Sequence, residues 1–518
     1  MDRSSGIRSQ RSSRRALGAA TIALVSTATL TVPRVTHASP LFEMSGGLGG
    51  QGGFNARATE SGAASTYFNP SMLVFADPGI TLGIVILTDQ IGITVGPRSH
   101  TQDVPDGLEN AQHADGTRFG SYPIGTGVLQ NGVPASGGSP GLAARPRQGA
   151  GSGQDTFAYQ LIGLVEPLFQ GRVVLGIYSM VPYAEFTGAS SFYSDEREQY
   201  FTNSLHPEMY SDRMTATSIA FGGGFKVTDE LALGLSFTLA LKTGATTPTY
   251  VADAGQFQNI LVDSKVTVNA KVAPHFGLSW QPADRWHFSA TVHTAQKLEI
   301  DTKFTFLLAN GVEQAASVSF THDYVPWSAS VGTQWDAYRT ESMSLSVVST
   351  FLYQEWSDYI DRHSEAPISQ YAWFNTLTPS IGIRLKKDVI RAYLDLNYVP
   401  SPVPAQTGRS NYVDNDRVGT SLGMDYQFEL FGAKWRVGGQ LQLDRLIPKT
   451  TQKIITPTQA DGQNHYPWLV TDEVPDDAVI NGTPVAGRNG LQTNNPGFPG
   501  FSSEGWVYGG GLYFSVAP

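Results

Sequence analysis

The sequence predicts an all-β fold, a transmembrane antiparallel β-barrel of about fourteen strands with a small N-terminal helical hatch inside the lumen. Three observations lead there. The chain of 518 residues is thin in charge (15% Asp, Glu, Lys and Arg) and rich in Gly (55) and aromatics (11%), a balance suited to many strands joined by turns. Apolar residues recur with period two over segments of ten or more residues, longer than the strands of most soluble sheets. Short polar turns alternate with long Gly/Pro/Asn-rich stretches, as between the two ends of a membrane barrel. No run of 18 uninterrupted apolar residues follows the N-terminal segment, which argues against a helical membrane protein.

Residues 1–38 have the pattern of a signal peptide. Arg3, Arg8, Arg11, Arg14 and Arg15 form a basic region, Ala16 to Leu30 an apolar one, and Thr36-His37-Ala38 a small-x-small cleavage site before Ser39. The Arg14-Arg15 pair is compatible with twin-arginine export. Residues 39–78 are rich in Gly and Ala and do not alternate, so they are not wall. Gly46 to Gly53 is too flexible for a strand. Asn69 is a helix cap with Pro70 at the first helical position, followed by Ser71-Met72-Leu73-Val74-Phe75. A segment of this length ahead of a barrel is expected in the lumen as a hatch; the other reading is a disordered tail.

Residues 79–518 are the expected barrel. Leu231, Leu233, Leu235, Phe237, Leu239 and Leu241 alternate with Ala, Gly, Ser and Thr. The same period runs through Val266 to Trp280, Trp286 to Val292 and Trp435 to Leu443. A tilted crossing strand needs about 9–11 residues, and only closure pairs every backbone group in lipid. Trp280, Trp286, Trp327, Trp335, Trp356, Trp435 and Trp506 are candidates for interfacial girdles. Val227–Glu230, Gln281–Asp284, Trp335–Arg339 and Lys386–Asp388 read as short turns. Gly96–Gln154, Gly188–Asp212, Thr243–Asp263, Arg362–Trp373, Pro402–Asp416 and Ile454–Glu504 read as long loops.

Composition also bounds function. A net charge of −10 without a basic block gives no support for nucleic acid as a partner. Zero Cys excludes disulfides, thiolate nucleophiles and Cys-ligated metals. There is no His-Glu-x-x-His and no phosphate-binding loop, so neither catalytic residues nor a cofactor or metal site is expected. His287 and His293 lie on one face of a strand about 20 Å apart, too far to share a metal.

The run Ser45-Gly46-Gly47-Leu48-Gly49, with Ala63-Ala64-Ser65-Thr66-Tyr67-Phe68-Asn69-Pro70-Ser71-Met72-Leu73, resembles the N-terminal hatch of the FadL-type outer-membrane transporters of long-chain fatty acids and other hydrophobic compounds. The family's Asn-Pro-Ala element is here Asn69-Pro70-Ser71, with Ser for Ala. Ser401-Pro402-Val403-Pro404-Ala405-Gln406 and Asp414-Asn415-Asp416-Arg417 are similar to the family's late extracellular loop and following strand. Weaker similarity runs through 176–186, 223–237, 276–301 and 505–514. The chain departs from the family in ending Phe514-Ser515-Val516-Ala517-Pro518 and in its long 454–504 loop.

The resemblance implies a fourteen-stranded, plugged barrel in the Gram-negative outer membrane. Its partners would be hydrophobic small molecules (fatty acids or hydrocarbons), membrane lipids and lipopolysaccharide, and it would work as a monomer. It implies passive uptake: capture between outer loops, a tighter pocket against the hatch, and lateral exit beside a kinked third strand. Burial at about 0.8 kcal/mol per CH₂ favours such an apolar path over an aqueous one. The expected third strand is Val173 to Phe186, containing Gly176 and Pro182, where proline cannot complete a ladder. Lys242 and Arg362 are the positions the resemblance offers for a substrate carboxylate. Competing readings are a general aqueous porin, with a charged lumen and no plug, and another outer-membrane barrel, adhesin-like or enzymatic. Within an apolar conduit, fatty acids, alkanes and aromatic hydrocarbons are not separated by the sequence.

Overall fold

The computed structural model describes residues 41–96, 149–183, 217–241, 272–307, 313–361, 364–456 and 497–517, with shorter pieces of the intervening loops. Residues 1–40, and with them the expected signal peptide, lie outside the described residues, as do Lys242 and Arg362.

Fourteen strands close into a barrel. In chain order the wall is β1 (Gly79–Val95), β2 (Gly149–Leu168), β3 (Val173–Pro182), β4 (Thr217–Lys226) and β5 (Leu231–Leu241). Two further strands, β6 (Thr246–Val251) and β7 (Ile260–Asn269), precede wall strands β8 (Val272–Ala283) and β9 (Trp286–His293). Next, β10 (Gln296–Leu307) and β11 (Glu313–Val325) precede β12 (Ser328–Arg339), β13 (Met343–Gln354), β14 (Thr376–Lys387), β15 (Ile390–Val399), β16 (Arg417–Leu430), β17 (Ala433–Gln452) and β18 (Gly500–Ala517). Each wall strand is antiparallel to its neighbours. The ring is sealed by β1 against β18, in register from Ile80↔Val516 to Val95↔Phe501. Among the described residues no helix is long and apolar enough to cross a membrane.

Period two decides which way each side chain faces. Along β17, Val437, Leu441 and Leu443 are exposed while Gly438, Gln440, Gln442 and Asp444 are buried. Leu441 is 60% exposed and Leu512 73%. Contiguous exposed aliphatics on a wall whose polar groups point inward are stable only where the outside is hydrocarbon. Near the short-turn end the outer face carries Trp280, Phe288, Trp286 and Trp335, with ring centroids 5.8–6.0 Å apart in succession, and Trp435 on Phe514 at 6.4 Å. Trp506 is half-exposed beneath the Arg445 guanidinium. Trp356 departs from the girdle expectation. It lies in a short 3₁₀ turn after β13, is 6% exposed and packs inward on Trp373 and Tyr359.

Several boundaries differ from the sequence expectation. The alternating run Val266–Trp280 is two strands: β7 pairs with β6 and β10, whereas β8 belongs to the wall. The stretch 243–263 is accordingly not plain loop, since β6 and the start of β7 lie in it. Four wall strands, β5, β8, β9 and β12, continue at the long-loop end as a separate sheet of order β11-β10-β7-β6. Alternation is the same in a wall and in a hairpin above it, so it could not place this break. Trp335–Arg339 is the end of β12, not a turn; a bulge between Asp336 and Tyr338 lets Asp336 accept from the Ser346 hydroxyl at 2.7 Å, and the turn follows. β2 begins at Gly149, earlier than the expected loop end at Gln154.

The N-terminal segment folds inside the barrel as short helices, α1 (Leu41–Ser45), α2 (Ala56–Thr59) and α3 (Ser65–Phe68), with 3₁₀ turns at Gly49–Gln51 and Pro70–Phe75. It packs on the inner faces of strands around most of the ring, from β3, β4, β5 and β8 to β15, β16 and β17. Wall glycines make room for it. A Cβ at Gly234 would collide with Pro70, and one at Gly277 with Asn69 and Pro70. The protein should therefore fractionate with outer membranes and, unheated, run on a denaturing gel at a mobility different from the heat-unfolded chain. Recovery as a soluble species would overturn the barrel.

Candidate functional site

Asn69 is the hub of the hatch. Its backbone is extended, so it cannot continue α3, and Pro70 fixes the first position of the next turn. Its Oδ1 accepts from the Ser71 N–H at 3.2 Å and the Ser71 hydroxyl at 2.6 Å, while its Nδ2 donates to the Arg57 carbonyl at 2.9 Å. All three expected hatch residues, Asn69, Pro70 and Ser71, are thus brought together and buried. One side chain both caps the 3₁₀ turn and ties α2 to α3.

Buried ion pairs hold the segment to the wall. Arg384 on β14 meets Asp395 on β15 through two contacts, at 2.6 and 3.0 Å, and also donates to the Gly52 carbonyl at 2.7 Å and Thr59 Oγ1. Asp395 in turn accepts from the Asn55 N–H at 3.0 Å. Arg391 on β15 pairs with Asp425 on β16 at 2.9–3.1 Å, and Asp425 accepts from the Gly50 N–H at 2.6 Å and the Tyr513 hydroxyl at 3.0 Å. On the opposite side, hatch Arg57 pairs with hatch Glu43, which also accepts from the Tyr67 hydroxyl at 2.6 Å. The lumen is therefore more charged than expected from its Ala, Gly, Ser and Thr content. The wall carboxylates Asp395 and Asp425 are engaged both by wall arginines and by hatch backbone.

The hatch lies between two cavities. The one toward the long loops, about 120 Å³, has a hatch floor of Met44, Phe54, Arg57 and Phe68 and aromatic walls of Tyr324, Trp356 and Tyr359. Tyr359 stacks on Trp373 at 3.6 Å and 6°, and the Tyr324 ring meets Tyr359 edge-on at 5.3 Å, which makes a fixed aromatic corner. Two cations reach this cavity. Arg57 is neutralised by Glu43; Arg417 lies over the Tyr210 ring at 5.7 Å beside Asp444 and Asp414. The cavity toward the short turns, about 160 Å³, is lined by Glu60, Asp77, Arg391, Lys434 and Arg436. Burial pushes the Glu60 carboxyl up to about 7, against the pull of Arg391 and Arg384.

The expected exit strand is shorter than anticipated. β3 starts at Val173 but ends at Pro182, so the proline closes the strand and does not lie inside it. Gly176 is buried on the inner face, where a Cβ would strike Thr66 and Leu73 of the hatch. Among the described residues the β3–β4 ladder runs to Met180↔Ser218, and Val181 and Pro182 pair with β2. Sequence reasoning missed Arg57, Arg384, Asp395, Arg391 and Asp425. Their signal was present: Arg384, Asp395 and Asp425 are charges at inward positions between apolar or aromatic neighbours that face outward. Among the described residues no group of three or more side chains is arranged to hold a metal ion.

No family model matches the chain, and no curated protein matches it. Among solved structures, a FadL homologue of Pseudomonas aeruginosa is 16% identical and aligns over 94% of this chain and 98% of its own, with a TM-score of 0.46. The toluene transporter TodX of P. putida aligns over 90% and 98% at 12% identity (TM-score 0.42), and the toluene transporter TbuX of Ralstonia pickettii over 94% and 100% at 11% (TM-score 0.39). The likeness spans nearly the whole chain.

Two predictions follow from the hatch contacts. Arg384→Ala leaves Asp395 buried beside the hatch without its counter-charge, and should weaken docking by about 3–5 kcal/mol. Hydrogen exchange of peptides from residues 41–75 should accelerate while wall peptides stay protected; unchanged protection would show that the pair is not a clamp. Glu60 binds its proton more tightly when the hatch is docked than at its ordinary value of 4.5. Its contribution is then fully present below pH 4.5 and lost as pH rises through about 7, roughly 3 kcal/mol in all. Glu60→Gln should abolish this alkaline loosening, read by the same exchange measurement between pH 5 and 8.

Proposed function

We propose that this protein carries small uncharged hydrophobic molecules across the outer membrane of a Gram-negative cell. The observation that carries the reading is the aromatic cavity above the hatch, whose cations already have carboxylates beside them. A fatty-acid carboxylate would have to compete with Glu43 or Asp444 for Arg57 or Arg417, whereas an uncharged ring or short chain needs no counter-ion. A cavity of about 120 Å³ is close to the ~150 Å³ that suffices for benzene in an apolar protein interior. The resemblance of residues 45–49 and 63–73 to the FadL-type hatch supports the same class of cargo. The absence of a His-Glu-x-x-His motif and of a phosphate-binding loop supports transport over an enzymatic role.

In this reading residues 1–38 direct export, the long loops face outward, and residues 39–78 are the hatch that closes the lumen. Cargo enters from the loop side, rests against Phe54 and Phe68, and leaves sideways into lipid beside Pro182 at the end of β3. Outer-membrane lipid and lipopolysaccharide surround a monomeric barrel. Lys242 and Arg362 remain the positions for a carboxylate if fatty acids are also carried. An aqueous porin would need the charged inner face of β14 to β17 open to water, but hatch backbone covers Asp395 and Asp425.

Cells making the protein should accumulate labelled toluene faster than cells lacking it, and Trp356→Ala should cut that rate several-fold while assembly is normal. Lys242→Ala and Arg362→Ala should leave it unchanged. Asn69→Ala removes a cap worth about 0.5–2 kcal/mol and should also lower uptake with the barrel intact. Ion conduction at porin levels without hydrocarbon uptake would overturn the proposal.

A further inference from the structure

The hatch meets the wall on β8 and β9 through chemistry unlike the Arg–Asp pairs of β14 to β16. Arg57 Nη1 donates to Thr291 Oγ1 at 3.1 Å and lies 2.9 Å from His293 Nε2 and 3.3 Å from its Nδ1. The His293 ring also hydrogen-bonds the backbone of Phe68. Its ring is 4.0 Å from that of His275, whose Nε2 meets Thr238 Oγ1 at 2.5 Å and whose Nδ1 is buried without a partner. Tyr67 presents its edge to both imidazoles, at 5.1 and 5.3 Å. Both histidines are buried, at 1% and 2% exposure.

A guanidinium has only donors, so whichever His293 nitrogen takes a hydrogen from Arg57 must be an acceptor, and only a neutral imidazole has one. A proton taken up there turns acceptor into donor and sets a second positive charge against Arg57, with a third available on His275. Among the described residues, two carboxylates bear on this cluster. From the hatch come Glu43, shared by Arg57 and Tyr67, and from β11 the carboxylate of Asp323 acts on Tyr67. One directly paired carboxylate cannot offset three cations at such spacing in a buried site.

We infer that Arg57, His293 and His275 form an acid-sensitive latch, which frees the hatch from the β8–β9 side of the lumen when the imidazoles take up protons. Its consequence reaches the aromatic cavity, because Arg57 forms part of that cavity's floor and its carbonyl is held by Asn69. The latch rests on the docked position of the hatch and not on which molecule is carried. Once wetted, an imidazole titrates near 6.5. Docking that requires both rings neutral therefore loses about tenfold in equilibrium constant per pH unit for each ring below that value. Glu60 works in the opposite direction, tightening docking in acid, so its effect must be removed to read the latch alone.

The test uses full-length protein in planar bilayers at pH 7.5 and 5.0, with Glu60→Gln as the background. Open probability should rise at least tenfold at pH 5.0. The His275→Gln/His293→Gln double variant should stay closed at both values, and Arg57→Gln should be open at both. Hydrogen exchange of residues 41–75 should follow the same order, with heat-dependent gel mobility confirming that each barrel is folded. A flat response in the Glu60→Gln background would overturn the latch. So would a rise that persists in the double histidine variant, because Glu43 or the wall aspartates would then be the acid-labile groups.

Discussion

Charge buried inside the barrel organises the rest of the molecule. Asp395 and Asp425 are on a wall whose outer face is aliphatic, so their only solvation is what the lumen supplies. Arginines of neighbouring strands give part of it. Backbone N–H groups of Asn55 and Gly50 give the rest, and those groups exist at the right places only when the N-terminal segment is folded inside. A buried carboxylate stripped of such partners is costly, so wall and hatch are stable together or not at all in this region. The glycines at 234 and 277 are the steric counterpart: the wall gives up side chains where Asn69 and Pro70 approach.

The two sides of the hatch are anchored by different chemistry. Toward β14 to β16 hatch backbone and Thr59 hydrogen-bond to multidentate Arg–Asp pairs of the wall, whose planar groups fix the geometry. Toward β8 and β9 the contacts depend on neutral imidazoles, hydroxyls and ring edges. The cavity above is rigid for another reason. Its aromatic corner is built from residues of β11 and of the loop between β13 and β14, stacked among themselves, so its shape does not depend on the hatch moving or staying.

Much of this was legible in the sequence, for reasons that differ by element. Strand faces were, because lipid on one side and lumen on the other enforce period two; Leu231 to Leu241 and Trp435 to Leu443 fall as expected. The Asn69-Pro70 cap was, because both residues act through local backbone chemistry. The sheet above the barrel was not, since alternation in Val266 to Trp280 carries no mark of where wall becomes hairpin. Trp356 was misplaced because an indole suits a membrane interface and an aromatic pocket equally. The ion pairs were hidden for a different reason: Gly50 and Asp425 are 375 residues apart, and only barrel register brings them together.

The seam between β1 and β18 has a consequence for how the molecule is made. The hatch runs directly into β1 at Gly79, and β1 is sealed by the last strand of the chain, from Gly500 onward. A cluster of short helices that has already folded cannot be threaded through a finished ring, so a hatch that folds first lies between the nascent strands when the seam zips. Contacts this distant in sequence form late and slowly. The hatch thus waits, enclosed on one side only, until β18 arrives, and the seam is also the door through which the plug is shut in.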